Sequence, residues 1–112
     1  MIYDRGYDGP YDEMGFEDAC RQVALTVAEV VISKQHDYGH DNILAFREEG
    51  LVVRLWDKVA RLKNLLWVNK DTPKNESIED TFTDIAGYAI IGLMLANKSF
   101  LNALKEKEID NA

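Results

Sequence analysis

Apolar positions recur at helical spacing over three long stretches of the chain. Phe16, Cys20, Val23, Val27 and Val30 lie three or four residues apart, which is one stripe of a helix. The spacing predicts a first helix from Phe16 to about Tyr38. Glu17 and Asp18 fall in its first turn, where acids complement the macrodipole, and Lys34 and His36 fall near its end. Gly39 suits the left-handed position just past a helix. Leu51, Val52, Leu55, Val59, Leu62 and Leu66 predict a second helix over about Leu51 to Val68. Between the two, residues 40–50 read as a connector, with one or two helical turns over Asn42 to Arg47. Pro73 breaks the run from Asn69 to Asn75. A third helix is expected from near Ser77 to about Asn97, striped by Ile78, Phe82, Ile85, Ala89, Leu93 and Ala96. Ile90, Ile91, Met94 and Leu95 make it apolar nearly all round. From Ser99, Phe100, Leu101 and Leu104 mark a shorter amphipathic helix with a charged end.

This pattern predicts an all-α protein. Residues 15–112 form a single helical domain, a bundle of three main helices plus a short C-terminal one. Residues 1–14 form an irregular arm. It repeats Tyr3-Asp4, Tyr7-Asp8 and Tyr11-Asp12, interrupted by Gly6, Gly9 and Pro10. Such an arm either packs its rings on the body or a neighbouring subunit, or closes over a ligand and stacks on a base. A helix apolar on all sides needs cover, and a domain of 112 residues buries a limited share of its surface. The bundle is therefore expected to be completed by oligomerisation. A homo-oligomer, dimer or higher, would have the third or first helix at the seam.

Composition narrows the function. Twenty acids against 13 bases give a net charge of −7. That disfavours direct nucleic-acid binding, which needs a basic face, and suits a divalent cation. The lone Cys20 excludes an intramolecular disulfide framework and fits a reducing compartment. The longest apolar run, Ile85 to Ala96, falls short of the roughly 20 residues a membrane span needs. A cytoplasmic protein with no membrane partner is the expectation.

Three groups could carry chemistry. In Arg54-x-x-Asp57-Lys58-x-x-Arg61, Asp57 lies three residues from one arginine and four from the other, and all three share one side of the second helix. The pattern suits either a surface ion-pair lattice or a site where Asp57 holds a cation and Arg54, Lys58 or Arg61 holds phosphate oxygens. Asp80 and Asp84 are one turn apart and could share Mg²⁺. Ser77-x-x-Asp80 also resembles a capping box, so Asp80 and its neighbours Glu76 and Glu79 have a local explanation. Asp84 does not, because it sits two turns in, where a carboxylate needs a partner. Finally, Tyr38 offers a ring to stack on a nucleobase and Asn42 an amide to read base or ribose. His36 and His40 are spaced like a zinc pair, but Gly39 ends the helix between them, and solvent-facing histidines are expected. No P-loop, GxGxxG or GxSxG occurs.

The run Asp37-Tyr38-Gly39-His40-Asp41-Asn42, the block from Val53 to Leu65 and the block from Glu76 to Ile90 together resemble the nucleotide modification-associated domain family. Its members are small proteins common in bacteriophages. That family in turn looks like a relative of the all-α, MazG-like nucleoside triphosphate pyrophosphohydrolases. The resemblance implies a helical, oligomeric, Mg²⁺-dependent protein acting on (deoxy)nucleoside triphosphates in a cell's cytoplasm. In that reading Asp57, Asp80 and Asp84, with Glu79, hold the metal and carry catalysis. Arg54, Lys58 and Arg61 neutralise the phosphates, and Tyr38 and Asn42 contact base or sugar. The ExxE and ExxD pairs of those enzymes have no full counterpart, since Glu29 is followed by Ile32 and Glu79 by Phe82. Two further classes stand beside the enzyme. One is a binding protein without turnover, sequestering a nucleotide or nucleotide signal or assisting DNA-base modification. The other is a helical oligomer whose acids only cap and pair.

Overall fold

A computed structural model describes residues 11–69 and 73–100, and all regular structure in them is helical. Helix α1 spans Phe16–Tyr38, α2 Asp41–Leu44, α3 Arg47–Lys63 and α4 Ile78–Ala96. The connector does hold a single helical turn, α2. Most of the N-terminal arm and the expected C-terminal helix beyond Phe100 lie outside the described residues.

Local chemistry accounts for the boundaries. Gly39, with φ of 75°, ends α1 by donating its N–H to the Gln35 carbonyl. Ser77 starts α4 by accepting a hydrogen bond from the Asp80 amide at 3.0 Å. Ser77→Ala is expected to cost about 1 kcal/mol in a denaturant melt, the usual worth of such a cap. Helix α3 begins four residues earlier than the apolar stripe implies. Its first turn holds Glu48 and Glu49, acids favoured at a helix start. Beyond Lys63 the coil widens into a π turn over Asn64–Val68, closed by the Asn69 N–H on the Asn64 carbonyl at 2.8 Å.

Helix α4 is the central element, with α1 and α3 both packed on it and α2 packed on α3. The core gathers Ile43, Leu51, Ile91, Leu95 and Phe100. Helices α1 and α4 pack tightly at Gly87, where an added Cβ would lie 3.0 Å from Val31 Cγ2. His40 is half-buried and packs edge-on against Phe100, with ring centroids 4.9 Å apart, so only His36 of the two histidines is exposed.

Expectations about burial need correction on three helices. On α1 the predicted stripe buries only Val27 fully, while Phe16 is 86% exposed. On α4, Phe82 and Leu93 remain exposed. On α3, Val52 and Val59 of the predicted stripe point outward with Val53 and Trp56, all more than half exposed, and only Leu51, Leu55, Leu62 and Leu66 of that stripe are buried or part-buried. No helix among the described residues is long and apolar enough to cross a membrane.

Candidate functional site

Between α1, α2, α3 and α4 lies a cleft of about 290 Å³, near the lower end of the usual ~300–1,000 Å³ for small-molecule sites. Helix α1 contributes Lys34, Gln35 and Tyr38, α2 Asn42, α3 Arg54, and α4 Thr83, Asp84 and Tyr88. Its floor is apolar, with Val31, Ile43 and Ile91. Gly87 also lines it, so the absence of a side chain there leaves the opening between α1 and α4.

From Lys34 and Asp84 in one wall, an ion-pair chain runs behind the cleft to the start of α4. Asp84 accepts from Lys34 Nζ on Oδ1 and from Lys58 Nζ on Oδ2, both at 2.9 Å. Lys58 also donates to both Glu76 carboxylate oxygens at 3.0 Å. Arg61 then reaches the Glu76 carboxylate at 3.9 Å, donates to the Glu76 carbonyl, and donates to Thr81 Oγ1 at 2.6 Å. Burial pushes the Asp84 carboxyl up, but its contacts with the Lys34 and Lys58 ammonium groups outweigh this and hold it well below the ordinary carboxylate range. The Asp84 contact raises Lys34. For Lys58, burial acts downward and the two carboxylates more than reverse it.

The opposite wall differs. Arg54 donates from Nη2 to the Asn42 carbonyl at 3.0 Å and sits 6.0 Å from the Tyr88 ring centroid. It forms no ion pair with a carboxylate among the described residues. Asn42 Oδ1 is buried without a hydrogen-bond partner. A half-buried guanidinium with donors to spare thus stands beside an unsatisfied acceptor, and Tyr38 lies exposed at the rim. Around the cleft and its ion-pair chain, Lys34, Arg54, Lys58 and Arg61 outnumber Asp84 and Glu76. In a chain of net charge −7 this is a local cationic site.

The structure therefore divides the residues singled out from sequence. Tyr38, Asn42, Arg54 and Asp84 line one cleft, and Lys58 and Arg61 join it through the ion-pair chain. Asp57, Glu79 and Asp80 are exposed, whereas Asp84 is part-buried in the cleft wall. No group of three or more His, Cys, Asp or Glu side chains suited to a metal ion occurs among the described residues. Both inner carboxylates are held by ammonium or guanidinium groups, so the donor set fits an anion better than a protein-held Mg²⁺.

Sequence reasoning missed Lys34, Gln35, Thr83 and Tyr88. The signal for Lys34 was present, because it continues the stripe of Val27 and Val30 by one more turn. A lysine that continues an apolar stripe marks the edge of the covered face, where a carboxylate such as Asp84 finds a partner. Tyr88 lies one turn beyond Asp84 on the same face.

Residues 34–95 match the model of the family described as "Nucleotide modification associated domain 1". That segment holds every cleft residue named above except Val31. No curated protein and no solved structure matches the chain.

Proposed function

Because the chain belongs to the nucleotide modification associated domain 1 family, we propose that its cleft binds a nucleotide by the phosphate. Arg54 supplies a planar fork for phosphate oxygens. Lys34, whose side chain is about half exposed at the cleft mouth, adds a second cation. The Asn42 carboxamide oxygen takes a hydrogen bond from base or sugar, and the Tyr38 ring stacks on the base from the rim. The observation that carries this reading is the Arg54 guanidinium, half-buried in the cleft and without a carboxylate partner among the described residues.

Binding, not turnover, is what this geometry supports best. Pyrophosphohydrolysis needs a cation to activate water and bridge phosphates, and no group of three or more His, Cys, Asp or Glu suited to one occurs among the described residues. Calorimetric titration with a panel of nucleoside mono- and triphosphates, with and without Mg²⁺, tests the proposal. Chromatography of the mixtures reports any product. Saturable binding with unchanged ligand is expected. Arg54→Met should weaken it roughly 10- to 100-fold, the worth of hydrogen bonds to a charged group at about 1.5–3 kcal/mol. A folded wild-type protein that binds none of the panel would refute the proposal.

A further inference from the structure

The outer side of α3 is built like a second buried face. On a 3.6-residue helix, Glu49, Val52, Trp56, Val59 and Lys63 fall in one stripe spaced three, four, three and four residues apart. The stripe lies away from Leu51, Leu55, Lys58 and Leu62, which face α4 and the core. Within it Val52, Trp56 and Val59 are 61%, 74% and 55% exposed. Val53, 62% exposed, and Ala60 widen it on one flank. A lone surface tryptophan needs no explanation, but a tryptophan centred in a continuous valine stripe two turns long marks a binding face.

The ends of the stripe identify the occupant. Glu49 closes it at the N-terminal end and Lys63 at the C-terminal end, both exposed and each seven residues from Trp56. We infer that this face is covered by a second copy of the chain, its α3 running antiparallel across Trp56. A two-fold axis beside Trp56 sets Glu49 opposite the partner's Lys63, and Lys63 opposite the partner's Glu49. It brings the two tryptophans together at the centre and Val53 against the partner's Val59. A parallel pairing would set Glu49 on Glu49 and Lys63 on Lys63, which repels at both ends. The interface is isologous, so one helix face supplies both halves. The cleft opens on the opposite side of α3, where Arg54 points, and stays accessible in such a dimer.

Sedimentation velocity on the full chain at micromolar concentration tests this, with circular dichroism as the control for folding. Wild type is expected to be a dimer. Trp56→Glu should weaken association more than about 100-fold, as removal of a central aromatic anchor does. Glu49→Lys and Lys63→Glu should each weaken it roughly tenfold, because each turns two attractive contacts into repulsive ones. The doubly exchanged Glu49→Lys, Lys63→Glu protein should recover wild-type association. A helical wild-type protein that is monomeric, or a dimer indifferent to Trp56→Glu, overturns the inference. A double exchange that fails to restore dimers overturns the antiparallel register.

Discussion

Asp84→Asn is expected to lower the stability of the protein by about 2–3 kcal/mol while leaving nucleotide binding intact or stronger. Removing one member of a buried ion pair costs about 3–5 kcal/mol, because the partner charge stays buried. Here the two partners differ. Lys58 is 23% exposed and keeps Glu76, whereas Lys34 is 55% exposed and can turn to water. The expected loss therefore falls below the fully buried figure. Urea titration reads it directly. Binding should move the other way, because deleting a carboxylate makes the cleft more cationic. If Asp84 instead held a metal for turnover, Asp84→Asn would abolish product formation. Undiminished stability together with lost binding would show that Asp84 serves the ligand and not the fold.

The same carboxylate sets the acid limit. Its folded-state value lies below the ordinary 3.8, so the unfolded chain takes up the proton first as pH falls. The stabilisation is complete above about pH 4 and drains away below it. Wild type should lose stability steeply between about pH 4 and pH 2, and Asp84→Asn should show a shallower slope over that range. At the alkaline end the sign reverses. Lys34 and Lys58 are raised above 10.5, so their contribution is whole below that value and is lost as pH climbs through the higher folded values.

Much of this arrangement was legible in the residues. Gly39 and Pro73 bracket their helices because each acts through its own backbone, with no need of tertiary context. Helix α3 was harder to start correctly. Gly50 interrupts its first turns, and no side chain caps it, so the stripe becomes visible only from Leu51. For the site, periodicity placed Asp80 and Asp84 on one face but could not say where that face becomes covered. Asp80 sits in the first turn of α4, exposed, while Asp84, one turn deeper, meets lysines from both neighbouring helices. Asp57 shares a broad side with Arg54 and Arg61. The two arginines fall on the edge nearer α4, and Asp57 falls on the edge turned to solvent. Which edge is which depends on the partner helix, and a single sequence does not contain that.

Arg61→Met should be the other large loss, about 2–4 kcal/mol, although Arg61 does not line the cleft. Arg61 is three-quarters buried and joins α3 to the start of α4 through the Thr81 hydroxyl and the Glu76 carbonyl. Each hydrogen bond from a charged donor is worth about 1.5–3 kcal/mol. Thr81 is fully buried, and its hydroxyl keeps only the bond it donates to the Ser77 carbonyl at 3.0 Å. The Glu76 carbonyl would be left to water. Methionine preserves the packing of the stem, so the loss reports the polar head. Arg61→Lys should recover less than half, because an ammonium cannot reproduce a planar fork on two acceptors. Hydrogen exchange should locate the damage in the first turn of α4, at the Asp80 and Thr81 amides, before it reaches Tyr88. A second effect should follow. With Arg61 gone, Glu76 is held by Lys58 alone, and Lys58 is drawn from Asp84 towards it. The Asp84 carboxyl then rises towards its ordinary value, and the acid transition moves up in pH. Unchanged exchange at Thr81 in Arg61→Met would show that the clasp contributes nothing to holding α4 on α3.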